Sequence, residues 1–202
     1  MKRFFITLFI ISIVMGCKNN ETASVTARDA VLENIMTRTS IRAYTDQPVP
    51  EEMVETMLKA GMAAPTAMNR QPWEFIVVTD RAKLDEMADS LKYAKMLRQA
   101  PLAIVVGARN TFVNRDGDTV VNMFWVDDCS AATENILLAA HALGLGAVWT
   151  AAKDEERASA VRAALDIPME FAPLCVIPIG FPAENPEPKD KWKPEKIHYN
   201  NW

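Results

Sequence analysis

Short apolar runs that alternate with amphipathic segments are the feature that most limits the folds open to this chain. Runs rich in β-branched and aromatic residues are typical of buried strands, and they lie at residues 73–78, 102–106, 146–150 and 174–179. Segments with apolar residues at helical spacing surround them, at about residues 28–37, 50–62, 81–91, 122–143 and 154–165. No GxGxxG or GxxxxGK[ST] motif is present, so neither a Rossmann site nor a P-loop is indicated. A chain of 202 residues with this pattern predicts one domain of strands and helices.

The N-terminal segment differs in composition and is expected to lie outside that domain. After two basic residues, an apolar run at residues 4–15 spans roughly 18 Å as a helix, short of the ~30 Å core of a bilayer. This length is typical of a signal peptide, and Gly16 before Cys17 resembles a bacterial lipobox. We expect residues 1–16 to be a lipoprotein signal peptide, with lipid on Cys17 and a polar tether at residues 17–27. An ordinary secretory signal with an incidental cysteine is the alternative.

A lipid anchor at this position places the protein in the bacterial cell envelope, on the periplasmic side or at the outer membrane. The formal net charge of −4 argues against general nucleic-acid binding, so any basic site must be local. An exported chain can form a disulfide. Cys129 lies in a helical pattern and Cys175 in a strand-like run, and two buried thiols are expected. With no CxxC motif and two histidines, no metal site is expected.

One basic segment has the residues of a phosphate site. The sequence Arg38-Thr39-Ser40-Ile41-Arg42 contains two guanidinium groups and two hydroxyls. In an extended backbone Arg38, Ser40 and Arg42 point the same way, because side chains alternate with a period of two. Guanidinium and hydroxyl donors suit a phosphate. A solvated basic turn is the alternative.

Two further segments have weaker signals when taken alone. The loop at residues 64–73 carries amides that suit the edge of a heterocycle, with loop capping and a core tryptophan as the alternative. Residues 144–150 end a helix and begin a strand, for which plain packing is the alternative. Lys189 and Lys191 form a basic pair in a proline-rich tail that begins at about residue 182.

In their order and spacing these segments resemble the FMN-dependent nitroreductase family. The resemblance rests on RTSIRAY, APTAMNRQPWEF, GLGAVW and the late basic pair, and it covers about residues 29–202. It implies an α+β fold with a mixed, largely antiparallel central sheet flanked by helices. It also implies an intertwined homodimer with FMN at the interface, within a domain of residues 28–202. The C-terminal arm would then reach across the partner and bury Ile197, Tyr199 and Trp202.

The resemblance assigns a cofactor-binding role to each segment. Arg38, Lys189 and Lys191 would hold the FMN phosphate, and Thr39 and Ser40 would contact phosphate or flavin. Residues of the other subunit would contribute the loop, namely Pro65, Thr66, Ala67 and Asn69.

The remaining assignments concern the flavin ring. Arg42 would lie near its N1/O2 edge and stabilise the negative charge of the reduced form. Trp149, Thr150, Ala151 and Ala152 would run behind the ring, with a backbone N–H facing N5. Several relatives have an acidic residue and a glycine where Ala151 and Ala152 stand, and an arginine is common where Lys191 stands.

The implied reaction is ping-pong transfer of hydride from NADH or NADPH, through flavin N5, to an electrophilic acceptor such as a nitroaromatic or a quinone. No protein acid, base or nucleophile is needed, so no catalytic side chain is expected. NAD(P)H is scarce outside the cytoplasm, which leaves the electron donor of an exported protein open. The alternative is a flavin- or small-ligand-binding envelope lipoprotein without nicotinamide-dependent turnover. A structural lipoprotein without cofactor is disfavoured, because clustered cations repel one another without an anion.

Overall fold

The computed structural model describes residues 26–202, so the expected signal peptide, Cys17 and most of the tether lie outside the described residues. Its helices are α1 (Ala27–Thr37), α2 (Glu51–Met62), α3 (Arg81–Ser90), α4 (Trp125–Ala142) and α5 (Glu155–Leu165). Its strands are β1 (Trp73–Val78), β2 (Leu102–Arg109), β3 (Thr111–Val113), β4 (Thr119–Val121), β5 (Gly146–Ala147), β6 (Thr150–Ala151) and β7 (Phe171–Gly180).

An antiparallel sheet lies at the centre of the domain. Its strand order is β1-β2-β7-β5, and β6 also pairs with β7. Every strand pair found in the described residues is antiparallel. The expected α+β fold, with a largely antiparallel sheet flanked by helices, is therefore confirmed. The remaining pair, β3 and β4, forms a separate hairpin around the sequence Asn114-Arg115-Asp116-Gly117.

Helices cover both faces of this sheet, because β2 alternates its buried side chains between two clusters. Ile104 and Val106 pack with residues of α2 and α4 on one face. Ala103 and Val105 pack with residues of α3 and α5 on the other. A strand buried on both faces is apolar at every position, which explains why residues 102–106 read as a continuous run.

The helix boundaries follow local capping signals. Asp80 and Asp154 accept backbone N–H groups at the starts of α3 and α5. Gly144 lies two residues after the end of α4, and its φ of +75° is typical of the glycine that follows a helix. Helix α4 begins later than predicted, because Asn122 folds into a turn in which its Oδ1 accepts the N–H of Phe124 at 3.1 Å.

The prediction of a single strand at residues 146–150 is wrong in one respect, because the structure divides this segment into β5 and β6. Both pieces keep one register against β7, which places Val148 opposite Pro178. Since proline has no N–H, the ladder of hydrogen bonds is interrupted at that position.

Both cysteines of the described domain are free and buried, which confirms the expectation of two buried thiols. Burial raises the pKa of the Cys129 thiol and of the Cys175 thiol to about 12. They are therefore protonated, apolar members of the core at neutral pH. None of the helices within residues 26–202 combines the length and apolar character needed to cross a bilayer.

Candidate functional site

The predicted phosphate residues lie around one cleft. Arg38, Lys189 and Lys191 line a cavity of about 690 Å³ between the end of α1 and the C-terminal arm. The side chain of Arg38 is only 18% exposed, and its Nε lies 3.2 Å from Oε1 of Glu134 on α4. A guanidinium has five donors, so this ion pair leaves donors for a second anion. Sequence reasoning missed Glu134, because nothing local distinguishes it from other exposed acids of a helix.

A second carboxylate ties the C-terminal arm to the basic segment. Oε1 of Glu184 accepts the backbone N–H groups of Arg42 and Ala43, the latter at 3.1 Å. The N–H of Ala183 donates to the carbonyl of Ala43 at 2.9 Å. These bonds explain how the arm brings its lysines to Arg38. Glu184 was also missed, since its partners are backbone groups far away in the sequence.

Another cleft contains residues that are predicted to face the flavin ring. Its volume is about 390 Å³, and Arg42 and residues 149–151 line it. Tyr93 and Arg157 line it as well, although no sequence signal indicated them. The cleft thus combines two guanidinium groups with aromatic and apolar walls. In the sequence, Thr39 and Ser40 lie between Arg38 of the first cleft and Arg42 of the second, and both are half-buried.

The register of β6 decides which backbone N–H groups face away from the sheet. The N–H of Ala152 donates to the carbonyl of Leu174 at 2.9 Å, so it points toward β7. In an antiparallel ladder the orientation alternates, which turns the N–H groups of Trp149 and Ala151 toward the open edge. Ala152 is fully buried, and the hydroxyl of Thr150 donates to the carbonyl of Val176 at 2.6 Å. Ala151 is therefore the member of the pair 151–152 whose N–H is turned outward.

The loop predicted to contact flavin has an unusual backbone. Met68, Asn69 and Gln71 have φ values of +53°, +53° and +51°, in a region that residues other than glycine rarely adopt. Strained backbone of this kind clusters at functional sites. Pro65 and Asn69 are exposed in this loop.

Two side chains hold the loop in that conformation. Oγ1 of Thr66 accepts the N–H of Gln71 at 3.0 Å, and Oδ1 of Asp128 accepts the N–H of Ala67 at 2.8 Å. Asp128 is 4% exposed, and its Oδ2 has no hydrogen-bond partner within the described residues. The N-terminal turn of α4, which carries Asp128, favours a buried negative charge. Asp128 lies on the face of α4 that also buries Cys129, Ala132 and Ile136, and a carboxylate on such an apolar face is the signal that would have identified it.

The loop lines a third cleft, of about 470 Å³, whose lining residues differ from those of the other two clefts. One subunit therefore presents its predicted flavin residues in three groups. The structure brings Arg38 together with Lys189 and Lys191, and Arg42 together with residues 149–151. The loop lies apart from both groups, and Thr39, Ser40 and Ala152 are not among the residues that line these two clefts. Among residues 26–202, no group of three or more His, Cys, Asp or Glu side chains could hold a metal ion.

Comparisons with known proteins agree on one family. The nitroreductase family profile matches residues 35–92 and 88–181. A Methanothermobacter thermautotrophicus protein, provisionally named NADH dehydrogenase/NAD(P)H nitroreductase, is 45% identical over 173 residues, or 85% of this chain and 87% of the relative. A crystal structure with the same provisional name, from Bacteroides thetaiotaomicron, has a TM-score of 0.79 at 49% identity, covering 86% of this chain and 98% of that one. A nitroreductase-like structure from Desulfovibrio desulfuricans, solved with FMN, has a TM-score of 0.71 at 33% identity, covering 85% and 97%.

Proposed function

The chain belongs to the nitroreductase family, and we propose that it transfers hydride from NADH or NADPH to an electrophilic acceptor such as a nitroaromatic or a quinone. At the coarser level it is an NAD(P)H-dependent flavin oxidoreductase that uses FMN. In the overall reaction, NAD(P)H and a proton reduce a quinone to a quinol, or a nitro group to a nitroso group and water. The observation that carries this proposal is the cleft at which Arg38 meets Lys189 and Lys191.

These three cations fit the phosphate of FMN. Cations that face one cleft repel one another unless an anion lies between them. Glu134 and Asp190 line the same cleft and offset part of the positive charge. Arg38 would bind phosphate oxygens through the guanidinium donors that Glu134 leaves free, and the lysines would add point charges. The hydroxyls of Thr39 and Ser40 would complete the set.

The cleft at Arg42 fits the flavin ring. The chemistry that bound FMN would supply there is hydride transfer between the reduced nicotinamide and the acceptor. The outward N–H of Ala151 would donate to the ring edge at N5, and Trp149 would provide an apolar surface behind the ring. Arg42 would stabilise negative charge at the N1/O2 edge, since a fixed cation costs no reorganisation during the reaction.

A second subunit would complete this site. Helix α1 has no buried residue in the single chain, and its Val31, Leu32, Ile35 and Met36 are exposed. The arm exposes Trp192, Tyr199 and Trp202. Apolar surface of this extent is typical of an interaction site. We propose an intertwined homodimer in which the loop at residues 65–69 reaches the FMN of the partner subunit.

An absorbance spectrum of the purified protein, without residues 1–16, tests the function. Flavin bands near ~450 nm that bleach after anaerobic addition of NADH or NADPH would support it. Bands that persist until dithionite is added would contradict nicotinamide-dependent turnover and favour a binding role. A colourless protein that cannot take up FMN would contradict the cofactor assignment.

We also propose that the protein is anchored in the cell envelope through lipid on Cys17. The support is the short apolar run, the lipobox-like Gly16-Cys17 pair and the polar residues that follow. Intact-mass measurement on the full-length protein from bacterial membranes should show acyl chains on an N-terminal Cys17. The Cys17→Ala variant is the control, and an unacylated wild-type protein cut elsewhere would contradict the proposal.

A further inference from the structure

The third cleft contains an arginine without an ionic partner. It lies between the strained loop and the β3-β4 hairpin, and Arg70, Arg109 and Phe112 contribute to its wall. The two arginines differ, because Nε of Arg109 lies 3.0 Å from Oε1 of Glu74 whereas Arg70 forms no salt bridge within the described residues. The cleft therefore carries one positive charge that no neighbouring carboxylate offsets.

Arg70 is placed over an aromatic ring. Its guanidinium carbon lies 3.5 Å from the centroid of the Phe112 ring, close enough for a cation–π contact. Phe112 is the central residue of β3 and pairs with Val120 across the hairpin. Nη2 of Arg70 donates one weak hydrogen bond to Sδ of Met68 at 3.8 Å. Stacking on the ring leaves the other in-plane donors of the guanidinium available to a carboxylate.

The loop holds Arg70 in place before any ligand arrives. Arg70 lies between Asn69 and Gln71, both in the left-handed region, and its own N–H donates to the carbonyl of Ala67 at 3.2 Å. Asp128 fixes Ala67 in turn, through a side chain that is almost entirely buried. A site that is ordered in advance loses less conformational entropy when it binds a ligand.

Polar groups and an aromatic face share this cleft. Side-chain amides of Asn69, Gln71 and Asn122 line it beside Phe112. Asn122 is buried, and its Oδ1 is committed to the N–H of Phe124. Nε2 of Gln71 donates to Oδ1 of Asn69 at 3.2 Å, so these two amides already pair with each other. The positive charge of Arg70 and the ring of Phe112 therefore decide which ligands fit, and they match a flat ligand with an acidic substituent.

We propose that Arg70 and Phe112 form a specificity site for planar aromatic acceptors that carry an acidic group. Arg70 binds the acidic group, and the ring of the acceptor lies against the aromatic and amide wall. This inference rests on the proposed function, in which the loop that carries Arg70 borders the FMN of the partner subunit. It adds a substrate class to that function, because the site should prefer aromatic carboxylates to the corresponding neutral amides.

Calorimetric titration of the FMN-loaded protein with 4-aminobenzoate and 4-aminobenzamide tests the site without turnover, because neither ligand is a hydride acceptor. The two ligands have nearly the same shape and differ in charge. We expect the wild type to prefer the carboxylate, and Arg70→Ala to weaken carboxylate binding roughly tenfold while amide binding changes little. Arg70→Lys keeps the charge and loses the planar fork, so it should fall between the two.

Arg115→Ala is the matched control, because Arg115 lies at the turn of the same hairpin and does not line the cleft. Arg115→Ala removes one positive charge from the hairpin that carries Phe112, and it should leave the preference unchanged. If Arg70→Ala and Arg115→Ala lose the same affinity for the carboxylate, the effect comes from the general positive charge of the region, and the proposal is overturned. A wild type that binds both ligands equally would overturn it as well.

Kinetics with 4-nitrobenzoate and 4-nitrobenzamide separate this inference from the proposed function. If the amide is reduced and Arg70→Ala leaves the ratio of kcat/KM values unchanged, the specificity site is wrong and the function stands. If neither compound is reduced, the proposed acceptor class fails and calorimetry still decides the site. If the only defect of Arg70→Ala is a raised KM for NADPH, with the KM for NADH unchanged, then Arg70 binds the additional phosphate of NADPH. That result would contradict the proposal.

Discussion

The central strands and the two ends of the domain place their apolar residues in opposite ways. Residues 102–108 of β2 are all buried, and most of β7 is buried beside them. Helix α1, by contrast, buries none of its residues, and every residue of the arm from Pro182 onward is exposed. The strands bury enough apolar surface to hold one subunit together. The ends keep theirs exposed, and they also carry Arg38 and the two lysines of the phosphate cleft.

This contrast teaches that the fold and the site depend on different surfaces. The two larger core clusters draw mainly on α2 to α5 and the sheet, and a small third cluster contains Ile41, Tyr44 and Ala100. None of the three includes a residue of α1 or of the arm. A change in the core should therefore affect stability first, and a change at the ends should affect assembly and FMN binding first.

Removal of the arm should have the largest effect. A chain that ends after Pro182 lacks Glu184 and both lysines, and we expect it to lose bound FMN and to be monomeric while it keeps its far-ultraviolet circular dichroism. Sedimentation velocity and flavin absorbance measure this. A truncated protein that still binds FMN and forms dimers would contradict this contrast, because the arm would then be needed neither for FMN binding nor for assembly.

A cavity in the core should come next. Ile177→Ala removes a fully buried side chain from β7, and we expect a loss of about 2–5 kcal/mol in the free energy of unfolding. Urea unfolding at two protein concentrations measures it. Ile35→Ala is the matched control on α1, where Ile35 is half exposed. Its smaller loss should depend on protein concentration, and a concentration-independent loss as large as that of Ile177→Ala would place α1 in the subunit core.

Loss of a single phosphate contact should have a narrower effect. Arg38→Ala should weaken FMN binding by roughly 10- to 100-fold, because charge-assisted bonds contribute about 1.5–3 kcal/mol. Fluorescence titration of the apoprotein with FMN measures the change. Arg28→Ala removes an exposed arginine that is paired with Asp29 at the other end of α1, and it should leave FMN affinity as it is. Equal effects of both variants on FMN affinity would argue against a specific phosphate-binding site at Arg38.

The smallest effect concerns pH. Burial, and then the charge of Arg38, lower the pKa of His141 below 6.5, so the folded chain binds this proton less readily than the unfolded chain does. The stability that neutral His141 contributes is present above pH 6.5 and is lost as pH falls through the lowered pKa of the folded state. His141→Gln should flatten the fall in urea stability between about pH 7 and pH 5. His198→Gln, in the exposed arm, is the control, and an equal change in both variants would contradict this origin.

Local signals were sufficient for most of the secondary structure. The helical periodicity predicted α3 and α5, because residues that share one face of a helix lie within a few positions of one another in the sequence. The division between β5 and β6 could not be predicted in this way. It depends on Pro178, which lies opposite Val148 only after β7 has paired.

For the candidate site, the resemblance to a family indicated where to look, and the tertiary structure added what holds those residues in place. Arg38, Lys189 and Lys191 were predicted together and line one cleft. The carboxylates that position this region and the loop were not predicted, namely Glu134, Glu184 and Asp128. Each acts on groups that are distant in the sequence, so no local pattern marks Glu134 or Glu184, and only the position of Asp128 on the apolar face of α4 gives a local signal.

The sequence by itself determined the helices, the main strands of the sheet and the identity of the basic and loop segments, because periodicity and motif spacing are local properties of the chain. Only the tertiary structure decided which backbone N–H at residues 151–152 faces outward, which arginine of the third cleft is free, and which apolar residues are left exposed. Those properties arise from pairing register and from contacts between distant segments, and they exist only once the sheet has formed.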